Sequence, residues 1–304
     1  MKSIKTKFII LNLIIILAGI IATGTISYKI AEASLIQSTE NTMLQVSSDT
    51  IHQINELNQK EFMMLRSIAQ QPFMRDEEIT HEEKNKQLVA IIQTDPTKYE
   101  NVAFYDKEGF TIIAGTGQKL NLASGRVYFT EAMAGREHVA DPAFSKVING
   151  ILMYYSVPVY NNKKQTIGAA VSVIKGNRLS NIVSSIDSGQ HPIVINMQTG
   201  EIIGTSEDIG TTEELATTNP EFHRIIMAAK TGKTGLETYI DSKTNRKMTS
   251  TYQPVGGNCK WAVICSVPYD FYFAPLAKMK VSLAITVFVA ILLVLACTLF
   301  FTSL

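Results

Sequence analysis

The sequence predicts an α+β fold: a long N-terminal stalk helix and two tandem antiparallel-sheet units, flanked by two transmembrane helices. Three observations predict it. Residues 8–28 and 281–304 contain no Asp, Glu, Lys or Arg, and each is long enough to cross ~30 Å of hydrocarbon, which takes about 20 apolar residues. Residues 29–70 contain neither Pro nor Gly. After them, apolar runs and turn signals spell strand–strand–helix–strand–strand–strand, and the plan then recurs in shorter form.

Composition narrows the class. The chain has 304 residues and a net charge of +1, enough for two domains of roughly 150 residues. A neutral balance without a Lys/Arg block excludes nucleic acid as an expected partner. Lys2, Lys5 and Lys7 precede the first apolar run and favour a cytoplasmic N-terminus. Residues 1–7 are therefore read as cytoplasmic, 8–28 as the first span and 278–304 as the second, with about 29–277 outside a bacterial plasma membrane. A cleaved signal peptide ending at Ala31-Glu32-Ala33 is the rival reading, but its apolar core would be longer than the usual 7–15 residues. Cys259 and Cys265 sit on one predicted strand, about 20 Å apart, so no disulfide is expected between them.

Residues 29–71 read as the stalk helix. Leu44, Ile51, Ile54, Leu65 and Ile68 recur at helical spacing, interrupted by Ser47, Asn58 and Glu61. The seam predicts a helix that backs the globular part and joins a second copy in a homodimer; a solvated amphipathic helix is the plainer reading. Gln71-Pro72 ends it. The first sheet unit is expected over 72–187. It holds a helix at 81–94, a hairpin of NVAFYD and FTIIAG, a short helix at 125–134 and strands at 139–144, 151–160 and 166–175. A connecting helix at 177–186 leads to the second unit, 188–277. There, PIVINM and EIIGTS form a hairpin, a helix covers 220–230, and LETYI, MTSTYQPV and KWAVICSVP are strands.

The details carry a family resemblance. GRVYFTEAMAG, then YYSVPVY with QTIGAAVSV, then NCKWAVICSVPYD resemble the helix, central hairpin and closing strand of double Cache (dCache) domains, whose units are PAS-like. The resemblance covers essentially the whole chain. It implies the extracytoplasmic sensor of a bacterial chemoreceptor, histidine kinase or cyclic-nucleotide enzyme, with a small-molecule ligand in the membrane-distal unit. It implies no catalysis and no cofactor. The chain stops at Leu304, so the expected output is either a missing domain or a cytoplasmic signalling partner.

The same resemblance defines candidate ligand residues. Many relatives hold amino acids through an Arg for the carboxylate and aspartates and tyrosines for the amine. Arg126 matches the first, and Tyr128 and Phe129 replace the Trp-Tyr pair after it. Asn121 stands for an upstream Tyr, Ala143-Phe144-Ser145 for a Tyr-x-Asp, and Val173 for a late Asp. Asp141, before Pro142, and Tyr154 complete the set, although Asp141 also reads as a turn starter and the pocket-facing side of the 151–160 strand is left open. Without the acids a buried ammonium would be uncompensated, so the expected ligand is a small organic acid or another non-amino-acid metabolite. The plainer reading of Arg126 is a surface ion pair with Glu131 or Glu137, and of Tyr128 and Phe129 ordinary helix packing.

Other chemistry finds little support. Ser172–Lys175 with Lys230-Thr231-Gly232 mimics an SxxK/KTG pair, but neither half falls on the required element. The five histidines are scattered, so no metal site is expected. A membrane-anchored surface protein whose Cache-like units bind another protein is the alternative function, and an extracytoplasmic hydrolase a third.

Overall fold

The computed structural model describes residues 4–112, 117–146, 148–186 and 189–303. Helix α1 runs Ile4–Ala69, followed by α2 (Pro72–Arg75) and α3 (His81–Thr94). Strands β1 (Tyr99–Tyr105), β2 (Phe110–Ile112) and β3 (Lys119–Asn121) precede α4 (Val127–Met133). Then come β4 (His138–Val139), β5 (Ala143–Ser145), β6 (Gly150–Tyr160), β7 (Thr166–Lys175) and α5 (Arg178–Ser185). The rest is β8 (Ile193–Asn196), β9 (Ile202–Gly204), α6 (Thr212–Thr218), α7 (Pro220–Ala229), β10 (Gly235–Ile240), β11 (Lys247–Pro254), β12 (Trp261–Pro268) and α8 (Tyr269–Ser303).

Among the described residues the strands form two five-stranded antiparallel sheets and a two-stranded pair, β2-β3. The first has the order β1-β7-β6-β4, with β5 also on β6, and the second β10-β11-β12-β8-β9. Helix α1 lies across both. Its apolar seam is covered by the chain's own sheets: Ile54, Leu65 and Ile68 are buried in one cluster with Tyr155, Val157 and Ile174 of the first sheet and Val263 and Cys265 of the second. The face expected to meet a second copy is thus spent on the protein itself. Two of the polar breaks in the seam, Asn58 and Glu61, have partners there too. Tyr155 donates to Asn58 at 2.8 Å, and Glu61, 1% exposed, takes the Lys98 ammonium and the Tyr99 hydroxyl.

Alternation along β6 divides the first sheet's faces. Met153, Tyr155, Val157 and Val159 face α1; Leu152 and Tyr154 face α4. Strand β7 is covered on both faces, so nearly all its residues are buried, and the run between its polar ends is apolar but for Ser172. At its start the chain needs Gly168, because a Cβ there would drive into the Tyr105 carbonyl and the Phe104 ring.

Three elements depart from expectation. The hairpin of NVAFYD and FTIIAG does not zip: β1 pairs with β7, and β2 pairs with β3. Side chains take over the edge where the ladder would run. Phe104 N–H donates to Asn85 Oδ1 at 2.7 Å, and its carbonyl accepts from Thr111 Oγ1 at 2.9 Å. The single strand at 139–144 is broken into β4 and β5, with Ala140-Asp141-Pro142 looping out between them. The second unit holds an unforeseen helix, α6, which a capping box of Thr211 and Glu214 starts.

Two helices are long and apolar enough to cross a membrane by length and composition, over Ile14–Ala69 and Pro275–Cys297. They pack on each other, with Leu283 pressed so close to Gly24 that a Cβ would collide. Strand β12 ends at Pro268 and α8 begins at Tyr269. No linker separates the second sheet from the apolar helix.

Candidate functional site

The site forms where α4 lies over the first sheet. Gly125 turns the chain at φ +73°, a left-handed conformation that Gly adopts without Cβ strain. Arg126 then occupies the N-cap of α4. Val127 faces outward at 62% exposure, and Tyr128 and Phe129 after it are buried. Ser156 Oγ on β6 donates to the Tyr128 carbonyl at 2.5 Å and ties the helix start to the sheet.

The floor is a register row. Asn101 on β1 pairs with Val173 on β7, and Val173 pairs with Tyr154 on β6. Tyr128 lies parallel on Tyr154, centroids 4.9 Å apart. Tyr105 shares this core cluster at 2% exposure, and Asn101 slightly opposes the rise that burial gives its phenol. Burial pushes the Tyr128 phenol up to about 12, Tyr154 adds to the rise and Arg126 opposes it. Burial also raises Tyr154, against Arg126 and with Glu100, and raises Tyr105. All three phenols stay neutral at physiological pH and can donate hydrogen bonds.

Arg126 is exposed, and among the described residues no carboxylate pairs with it. The ion pairs open to it from sequence are both taken: Glu131 binds Arg136 at 2.5 Å and Glu137 binds Arg66. Glu100 is the acid that influences Tyr154, and it pairs with Lys175 at 3.5 Å. The site therefore offers a guanidinium and neutral hydroxyls above an apolar floor, which suits a small carboxylate.

Of the sequence candidates, Arg126, Tyr128, Phe129, Tyr154 and Val173 come together, and three do not. Asn121 is exposed on β3, where its Oδ1 accepts from Ser124 N–H. Ser145 pairs with Gly150 at the far end of β6, four residues or roughly 13 Å along the strand from Tyr154. Asp141 turns away to the second sheet, where Trp261 Nε1 donates to it at 2.6 Å and Asn196 Nδ2 at 2.5 Å. The residues that sequence reasoning missed are Asn101 and Tyr105. Their signal was present in NVAFYD, where Asn101, Ala103 and Tyr105 share one side of a strand.

Residues 27–276 match the family profile dCache_1, Cache domain. The chain belongs to this Cache family. No curated protein matches it. Among solved structures, the Cache domain is similar to the ligand-binding domain of the Campylobacter jejuni chemoreceptor Tlp3 in complex with L-valine. The TM-score is 0.60 at 14% identity, covering 79% of this chain and 96% of that one. It is similar to the ligand-binding domain of the Pseudomonas aeruginosa PAO1 amino acid chemoreceptor PctC in complex with GABA, at TM-score 0.56 and 17% identity over 75% and 99% of the two chains. The extracellular domain of the putative histidine kinase rpHK1S-Z16 matches at TM-score 0.58 and 16% identity, over 77% and 96%. At these identities the likeness speaks for the fold, and the family assignment makes this Cache chain a sensory, small-ligand-binding domain of the receptor type.

Proposed function

We propose that the chain is the extracytoplasmic sensor module of a bacterial transmembrane receptor, anchored by both apolar helices, with about 29–277 outside. Residues 72–187 form the membrane-distal, ligand-binding unit and 188–277 the proximal unit that meets α8. The ligand is a small organic acid, its carboxylate on Arg126 and its body against Tyr128, Phe129, Tyr154 and Val173. The observation that carries this reading is the guanidinium of Arg126, which no carboxylate of the described residues engages, beside the neutral phenols of Tyr128 and Tyr154. Valine and GABA, the ligands of the similar domains, also present a carboxylate. They add an amine, for which Glu100 is the nearby acid, and Lys175 already holds it. A bound acid shifts the equilibrium between two arrangements only by its differential affinity for them, and the output passes to a cytoplasmic partner or further segment.

The test is a thermal-shift screen of the full chain in detergent with lactate, succinate, L-valine and GABA. Stabilisation by the acids supports the reading; stabilisation by the amino acids alone overturns it. A homodimer along α1 is part of the proposal. Because the sheets cover the seam, it must use the opposite face, where Met63 is exposed. Sedimentation that stays monomeric, unchanged by Met63→Glu, would sink it.

A further inference from the structure

Asp141 lies in the first unit, yet its carboxylate belongs to the second. One oxygen accepts from the Trp261 indole N–H and the other from the Asn196 amide. These two residues face each other across the β12–β8 ladder, so the carboxylate grips both strands at one register position. Trp261 is the chain's single tryptophan and is 1% exposed. Asn196 is also held, its own oxygen accepting from the Gln198 and Thr199 N–H groups that turn β8 into β9. On the other side, Ala140 N–H donates to the Tyr154 carbonyl at 2.9 Å. One residue thus separates the strand beneath the stacked tyrosines from the grip on the second sheet. A nearby contact runs the same way, Asn258 Nδ2 reaching Glu137 at 3.4 Å. Beyond Trp261, β12 continues without a linker into α8.

We propose that Asp141 is the positioning residue that couples the ligand-binding unit to the strand entering the membrane, so that displacement of Tyr154 by a ligand moves Trp261 and β12. The role in signalling rests on the sensor reading above; the mechanical coupling does not. Both are tested with the full chain in detergent. Asp141→Asn keeps the size but sets an amide donor against a donor, and Trp261→Phe keeps a ring but removes the N–H. Calorimetry of the wild-type chain is expected to show one unfolding transition for both units. Either substitution should split it into two, and the double variant should be no worse than the single ones, as for two partners in one bond. An unsplit, unshifted transition in both variants, or strictly additive losses, overturns the coupling. In the signalling arm, lactate or succinate should shift the emission of Trp261 in the wild-type chain. That shift should be lost in Asp141→Asn while the acid still binds by titration calorimetry; a retained shift overturns the signalling role. If neither acid binds, the sensor ligand is wrong, and the calorimetric arm still decides the coupling.

Discussion

Tyr128 and Tyr154 lie ring on ring, 8° from parallel, one from a helix and the other from the sheet beneath it. The stack joins α4 to β6 and forms the wall of the candidate site. Tyr128→Ala should cost about 3 kcal/mol of stability, in the range for losing a buried aromatic, and should abolish acid binding. Tyr128→Phe should be nearly neutral for stability, because the hydroxyl reaches only the Leu122 carbonyl at 3.4 Å. Urea unfolding of both variants checks the contrast.

Arg126 separates binding from folding. It is exposed and carries no ion pair among the described residues, so Arg126→Ala should change stability by less than about 0.5 kcal/mol. The same change should remove the thermal shift caused by organic acids. Lysine at this position should restore only part of it, since an ammonium cannot form the paired fork to a carboxylate. A large drop in the unliganded melting temperature would mean that the residue serves the fold.

Glu61 tests how the stalk is held. Its carboxylate is buried, and Lys98 is its ion-pair partner, with the Lys98 side chain 27% exposed. Burial works to lower the Lys98 ammonium, yet its bonds to Glu61 and Tyr99 hold it above the usual lysine range. Breaking a fully buried pair costs about 3–5 kcal/mol; with Lys98 partly wet, Lys98→Met should cost about 2. Combining it with Glu61→Leu should recover much of that loss, which a double-mutant cycle by denaturant unfolding would measure.

Two histidines set a pH dependence near neutrality. Burial lowers the His138 and His81 imidazoles below the ordinary 6.5, and nearby carboxylates only partly offset it. The unfolded chain therefore takes up protons first as pH falls. This contribution to stability is complete above pH 6.5 and is lost as pH drops through 6.5 toward the folded values. Asp95, Glu131 and Asp241, held below their ordinary 3.8 to 4.5, are present above that range and fail only at lower pH. Melting temperatures from pH 7.5 to 5 should fall, and His138→Gln should flatten the curve; an unchanged slope would show that His138 does not contribute.

The candidate site was legible in part. Arg126, Tyr128 and Phe129 stand within four consecutive residues, and local order alone delivers them to one helix start. Tyr154 and Val173 were named, but the side of β6 that faces the site depended on which face α1 covers, and that is a packing outcome. Asn101 and Tyr105 were overlooked because strand alternation identifies a face without saying what lies over it. Sequence offers Asp141, before Pro142, both as a site residue and as a turn starter. Its partners lie 55 and 120 residues away, beyond the reach of any local pattern.

Sequence by itself determined what short-range physics controls. Charge-free runs long enough for a bilayer, a helix without Pro or Gly, and the double alternation of strands and helices follow from hydropathy, period and turn chemistry. Tertiary structure decided what depends on competition between distant groups. Asn85 and Thr111 take the β1 edge from β2 because a side chain can satisfy backbone groups as well as a ladder can. The stalk seam closes on its own sheets because two apolar faces in one chain meet at a far higher effective concentration than two chains do. Asp141 leaves the ligand site because a half-buried carboxylate goes where donors await it, and two of them converge at the end of the β12–β8 ladder of the second sheet.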